Sequence, residues 1–329
     1  MKLGRRKFLH LAAGAAALPT VSRVASAQTY PSRPITLMVG AAAGGPTDSI
    51  ARILTQHMRA SLRQAILIEN NGSAGGTILH GRTARAAPDG YTLSLGHTAT
   101  HVLNGAVYSL SYDVLKDFEP ISLVSINPWL FAARMTLPPR DMQGFIGWLK
   151  ANPDAPLQGI GGVGSPDHVA GVLLQRTMGI RWQLVPYRGS APMMQDLVAG
   201  QLDWAIAVPD TSLPQMRAGR IKIYAVAAPH RLPAAPDIPT VDEAGLPGFY
   251  VSYWHGLWAP RGTPKEIVAK LNAALIDALA DAGVRQRLGE LGQEIFPRDQ
   301  QNPQALAALQ AAEIEKWWPL IKAAGIKAD

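Results

Sequence analysis

The run Leu37-Met38-Val39-Gly40-Ala41-Ala42-Ala43-Gly44-Gly45-Pro46-Thr47-Asp48-Ser49-Ile50 passes from an apolar strand through small residues and two glycines into a helical pattern. No large side chain guards the turn, so a ligand can reach the backbone there. The first amides of the following helix have no intrahelical acceptor and carry partial positive charge, which suits an anion such as a carboxylate. Thr47 or Asp48 is placed to cap that helix. Taken alone, the stretch is equally an ordinary strand-to-helix turn. A second turn of the same kind, further along, favours the binding reading.

Around this turn the chain alternates short apolar runs with helical patterns. Ile35–Val39, Ala65–Glu69 and Tyr91–Gly96 read as strands, with helices over Asp48–Leu62 and Ala74–Ala87 between them. That alternation specifies right-handed βαβ units on a parallel sheet. Glu119–Val124 and Trp129–Ala133 read as extended segments that pass to another domain. After Pro138-Pro139 the alternation restarts and continues to Ala227, giving a second α/β unit with its own sheet. Ala234–Gly248 reads as a long loop, and Ser252–Ala259 as a strand that returns the chain to the first domain. From Thr263-Pro264 to Lys322 the pattern is helical, punctuated by Gly283, Gly289 and Pro303, and these helices are expected to cover the first sheet. The expected division is 28–125 and 252–329 for the first domain and 126–251 for the second. Two crossings between two α/β domains, with a cleft between them, match a hinge-closing receptor of the periplasmic binding protein (Venus flytrap) type.

The N-terminus is set apart from this fold. Gly4-Arg5-Arg6-Lys7-Phe8-Leu9 is a twin-arginine pattern, an Ala-rich apolar run covers Leu11–Leu18, and Ala25-Ser26-Ala27 supplies a cleavage site before Gln28. The apolar run is too short to span a bilayer. The expectation is a signal peptide over 1–27, Tat export and a periplasmic location. Removing those 27 residues from 329 leaves 302, and the five basic residues they hold take the net charge from +7 to +2. No basic cluster with interleaved aromatics remains, which removes the case for nucleic-acid binding. Cysteine is absent, so no disulfide framework or thiolate metal site can form.

The second glycine stretch is Gly159-Ile160-Gly161-Gly162-Val163-Gly164-Ser165-Pro166-Asp167-His168. It satisfies G-x-G-x-x-G literally, but a polar, Pro-rich run precedes it. The next strand ends at Pro186-Tyr187-Arg188 with no acid for a ribose hydroxyl, so dinucleotide binding is disfavoured. A helix start with Ser165 as N-cap and Pro166 at N1 fits better. A third glycine-rich connection is Asn70–Gly76, and a fourth loop, Gly96–His101, offers the Thr98 and Thr100 hydroxyls. All four lie at the carboxyl ends of strands, where open α/β sheets bind ligands. His97 and His101 are four apart but lack a neighbouring carboxylate, so a solvated or hydrogen-bonded pair is expected rather than a metal site. There is no nucleophile elbow, Walker loop or His-Glu-x-x-His, and neither catalysis nor a cofactor is expected. Trp204, Trp254 and Trp258 are read as core, and Trp317-Trp318 as packing on the terminal helix.

Together these phrases resemble the periplasmic receptors of tripartite tricarboxylate transporters, the Bug receptors, from about Tyr30 to Asp329. The resemblance rests on Tyr30-Pro31-Ser32-Arg33-Pro34-Ile35, Gly44-Gly45-Pro46-Thr47-Asp48, Ala86-Ala87-Pro88-Asp89-Gly90-Tyr91-Thr92-Leu93 and Asp117–Val124. Val185-Pro186-Tyr187-Arg188-Gly189-Ser190-Ala191-Pro192, Asp237–Val241, Glu243–Gly248 and Gly262–Val268 extend it in the same order. It implies a two-domain flytrap that captures a small organic acid, mono- or dicarboxylate, and presents it to membrane permease subunits. By matching position it implies first-domain contacts from Gly44, Gly45, Thr47 and Asp48, with Ala74, Gly75, Thr98 and Thr100 beyond. The second-domain contacts would be Gly164, Ser165, Asp167 and His168, with Tyr187, Arg188 and Gly189 behind them.

Two departures from the family pattern stand out. Many members carry a run of Ser where this chain has Ser165-Pro166-Asp167. Proline removes an amide there, and Asp167 puts negative charge at a helix start. Many also carry an acid where this chain has Ala207, and its loss argues against an amino-acid ligand. Asp210, three residues on, is either a replacement or part of a loop. The expectation is a monomeric, non-catalytic carboxylate receptor. The alternatives are a receptor feeding a signalling partner and a secreted nucleotide-dependent α/β enzyme.

Overall fold

The computed structural model describes residues 30–328. The leader motif and its cleavage site fall outside them. β1 (Ile35–Val39) buries every residue but Thr36, as expected of a parallel strand covered on both faces. α1 (Pro46–Leu62) leads to β2 (Ile66–Asn70), and α2 (Thr77–Ala84) to β3 (Thr92–His97). β1 pairs in parallel with both, so Leu37 lies opposite Ile68 on one side and Leu93 on the other. The helix expected from Ala74 does not start there. Ala74, Gly75 and Gly76 take φ of 50°, 62° and 81°, making a short 3-10 turn over Ser73–Gly76 before α2. The close approach to β1 explains it, since a Cβ on Gly76 would come 2.6 Å from the Gly40 carbonyl oxygen.

A π-type turn over Ala99–Leu103 and α3 (Asn104–Val107) follow β3. β4 (Phe118–Pro128) then runs the length of the first sheet, and β5 (Leu130–Arg134) begins the second. The second unit continues through α4 (Met142–Ala151), β6 (Leu157–Ile160), α5 (Pro166–Met178) and β7 (Gln183–Pro186). Then come α6 (Ser190–Val198), β8 (Trp204–Ala207), α7 (Pro209–Arg217) and β9 (Ile221–Val226). β10 (Ser252–Pro260) returns to the first sheet. α8 (Lys265–Ala280), α9 (Ala282–Glu290), β11 (Glu294–Ile295) and α10 (Pro303–Ala323) complete the chain.

The six-stranded sheet has the order β11-β4-β10-β3-β1-β2 and the five-stranded sheet the order β7-β6-β8-β5-β9. The chain leaves the first sheet at Trp129 and returns before Ser252. The two crossing segments are bonded to each other, through Trp129 N to the Val251 carbonyl at 3.1 Å and Ala227 N to the Trp129 carbonyl at 2.7 Å. α8 and α9 pack on α1 over the first sheet, whereas α10 lies along β4 and also touches α5 of the second unit. No helix among the described residues is long and apolar enough to cross a membrane. Trp204 is fully buried at the centre of the second unit, with Trp182 and Phe145 edge-on at 5.3 and 5.2 Å and Phe131 stacked at 6.3 Å. Trp254 and Trp258 are likewise buried.

Candidate functional site

A cavity of about 240 Å³ lies between the two sheets. The first unit contributes Ala41, Pro46 and Thr47 from the turn into α1. The second contributes the β6–α5, β7–α6 and β8–α7 turns, and the floor is made by Asn127, Trp129, Tyr253 and His255 from the crossing strands.

The turn into α1 is built by its own side chains. Gly45 is the N-cap, with no side-chain cap, and Pro46 takes N1. Asp48 does not cap its helix; it reaches back, accepting from Gly44 N at 2.8 Å and from Arg52 Nε at 2.9 Å. Burial pushes this carboxyl up, but hydrogen bonds from Arg52, the Gly44 amide and Asn70, with the Arg52 charge, outweigh it and hold the group below its ordinary range. Gly45 N is taken by the Ala42 carbonyl. The Thr47 and Asp48 amides, by contrast, have no acceptor among the described residues. They are the donors this helix start leaves for an anion. Thr47 Oγ1 also lies 3.3 Å from His255 Nε2.

The start of α5 is different. Ser165 caps it, its Oγ accepting from His168 N at 3.4 Å. Asp167 is buried, and its carboxylate accepts from the Gly161 amide and the Ser165 hydroxyl. Burial raises its pKa, and those hydrogen bonds only partly offset the effect. Gly164 N donates to His168 Nδ1 at 2.9 Å, and Ser165 N to the Gly162 carbonyl at 3.2 Å. The amides expected to be free around this helix start are largely engaged from within: Gly164 by His168, Ser165 by Gly162, His168 by Ser165, and Gly161 of the preceding loop by Asp167. Within the G-x-G-x-x-G loop, Gly159 serves packing, since a Cβ there would come 2.5 Å from Leu202 Cδ1 and 2.7 Å from Met193 Cγ.

Of the residues singled out from sequence, Thr47, Ser165, Asp167 and Gly189 line the cavity. Gly44, Gly45 and Asp48 shape the turn beside it. Ala74 and Gly75 lie on the exposed left-handed turn, with Gly75 O accepting from Asn104 Nδ2 at 2.9 Å. The Thr98 and Thr100 hydroxyls, read as ligand donors, are buried and bonded within the fold. Thr98 Oγ1 accepts from Trp254 N at 3.0 Å, and Thr100 Oγ1 lies 3.0 Å from His101 Nδ1, both residues being buried. The segment is a buried turn rather than a loop because β10 closes over it. Tyr187 donates to Asp196 at 2.7 Å, and Arg188 is exposed. Gly164 faces Val107 of the first unit. Asp210 is not simply loop: it opens α7 and lines the cavity, while Ala207 is buried in the sheet. The floor residues Asn127, Trp129, Tyr253 and His255 were missed. Their signal is positional, since strands that cross between two domains necessarily floor the cleft.

His255 belongs to a buried group of four histidines. His80 Nδ1 lies 2.8 Å from Ser94 Oγ, which is 3.5 Å from His101 Nε2, and His97 packs between Tyr253 and His255 at 4.7 and 6.0 Å. Burial pushes His80 and His255 down to about 3 and lowers His97 and His101 too, so all four are neutral at pH 7. No cluster suited to a metal ion occurs among the described residues.

Two α/β units joined by crossing strands, with unspent helix-start amides beside a cavity between the sheets, define a two-domain solute-binding protein. Residues 50–326 match the family model described as tripartite tricarboxylate transporter family receptor, and the chain belongs to that family. It is 37% identical over 319 residues to the UPF0065 protein in the TAR-I ttuE-ttuC' intergenic region of Agrobacterium vitis, covering 97% of this chain and 92% of that one. Among solved structures it is similar to MatC of Rhodopseudomonas palustris with bound malate, at 42% identity and a TM-score of 0.78, covering 89% of this chain and all of that one. It is also similar to R. palustris Rpa4515 with adipate, at 32% identity and a TM-score of 0.80, covering 91% of this chain and all of that one.

Proposed function

We propose that this protein is an extracytoplasmic receptor that binds a small organic carboxylate in the cavity between its two units and delivers it to a tripartite tricarboxylate-type permease. It acts as a monomer without cofactor or catalysis, after export through its twin-arginine leader and cleavage before Gln28. The observation that carries this reading is the pair of unspent amides at the start of α1, Thr47 at the cavity wall and Asp48 in the turn beside it. Each charge-assisted hydrogen bond there contributes about 1.5–3 kcal/mol. The malate and adipate held by the two similar receptors support a carboxylate as the ligand class. The cavity suits a ligand at the small end of the usual range. Native mass spectrometry of the protein as purified, followed by calorimetric titration of stripped protein with organic acids, is expected to show one acid per chain. Failure of every acid to bind would refute the reading.

A further inference from the structure

The two faces of the cavity differ in charge. On the first-unit side stand the Thr47 and Asp48 amides, and below them Trp129, whose buried Nε1–H has no acceptor among the described residues. An indole nitrogen only donates, so Trp129 asks for an acceptor, whereas the Asn127 amide oxygen on the same floor, also unpartnered among the described residues, asks for a donor. On the second-unit side stand two carboxyl groups, Asp167 and Asp210. Asp167 already holds the Gly161 amide and the Ser165 hydroxyl, and Pro166 brings no N–H. Asp210 accepts from the Thr211 amide at 2.8 Å. No Lys or Arg lines the cavity, and its one imidazole, His255, is kept neutral by burial. Burial raises the pKa of both carboxyls, so a second ligand carboxylate on this face would meet like charge or require uptake of a proton, with no cation to offset it, and either is unfavourable.

We propose that the ligand is a monocarboxylate whose far end carries hydrogen-bond donors, a hydroxyl or an ammonium. Asp167, standing in for a ligand carboxylate at the start of α5, excludes diacids, and Asp210 shares in receiving the donors. The inference rests on the carboxylate-receptor reading above. It also supplies, from Asp167 and Asp210, the acid that Ala207 lacks.

The test is calorimetric titration of the stripped full chain with matched acids of two lengths. The shorter set is butyrate, γ-hydroxybutyrate, γ-aminobutyrate and succinate; the longer is caproate, ε-aminocaproate and adipate. In the better-fitting length, the hydroxy or amino acid is expected to bind at least about tenfold tighter than both the diacid and the plain acid. Asp167→Ser is expected to free the Gly161 amide and the Ser165 hydroxyl and shift the ratio toward the diacid by about tenfold or more. Asp210→Asn, checked for folding by its thermal transition, is expected to shift the ratio in the same direction. A diacid that binds the unmodified protein as tightly as its hydroxy or amino counterpart would overturn the inference and leave the receptor reading standing. A ratio unmoved by both substitutions would overturn it too. If no acid binds the protein or either variant, the receptor reading itself fails.

Discussion

A Cβ on Gly96 would come 2.0 Å from His101 Nδ1, and one on Gly40 would come 2.3 Å from His80 Nε2. Both glycines stand where a strand passes a buried imidazole ring, and neither has a positive φ. Gly96→Ala is therefore expected to destabilise through overpacking, by about 1–3 kcal/mol, read as a lower urea midpoint at unchanged slope. The histidines themselves make a second prediction. His80 and His255 are held near 3 when folded, well below the ordinary 6.5. Between those values the unfolded chain binds protons that the folded chain refuses. Their contribution to stability is thus complete above pH 6.5 and is lost as pH falls toward 3, at about 1.4 kcal/mol per pH unit for each. Unfolding free energies at pH 7 and pH 5 check this, and a flat profile would contradict neutral burial. In the sequence His97 and His101 sit among threonines and read as loop. Their burial depends on β10, more than 150 residues further on, which no local pattern reports.

The helix starts show how much of each element was legible. Ser165 and Pro166 were readable as cap and N1, because both act within their own turn. Removing the cap in Ser165→Ala is expected to cost about 1 kcal/mol, measured by chemical unfolding. It also takes one donor from Asp167, so a variant as stable as the parent would contradict the capping geometry. At α1 the sequence suggested a cap from Thr47 or Asp48, but Asp48 instead ties Gly44 to Arg52 across the turn. Its partners lie four residues away on either side, and capping statistics do not choose between the two uses. The break at Ala74–Gly76 and the two-residue β11 were not legible. The first follows from contact with Gly40, just past the end of β1, and the second is too short to show any period. The remaining strands were recovered to within a few residues, since alternation of apolar runs with helical patterns is itself a local signal.

At the scale of the whole molecule, the two units meet along the rim of the cavity as well as through the crossing strands. Gly164, at φ 78°, packs where an added Cβ would lie 2.5 Å from Val107 Cγ1, and His230 Nε2 reaches Glu294 at 3.0 Å. Gly164→Ala is expected to wedge the rim open. Ligand dissociation constants should rise about tenfold, or ~1.4 kcal/mol, with a larger radius of gyration in solution scattering and a smaller change in unfolding midpoint. The two-sheet architecture was readable because each unit repeats the same βα alternation. The inside of the cleft was only half readable: turns that carry glycine announced themselves, whereas Trp129 and His255 look like ordinary strand residues. The central claim is that an acid group is gripped by the Thr47 and Asp48 amides between the two units. The most direct measurement is a crystal structure of the protein with its bound acid. The account predicts a carboxylate oxygen within hydrogen-bonding distance of those two nitrogens; a ligand bound outside the cavity, or with its carboxylate against Asp167, would contradict it.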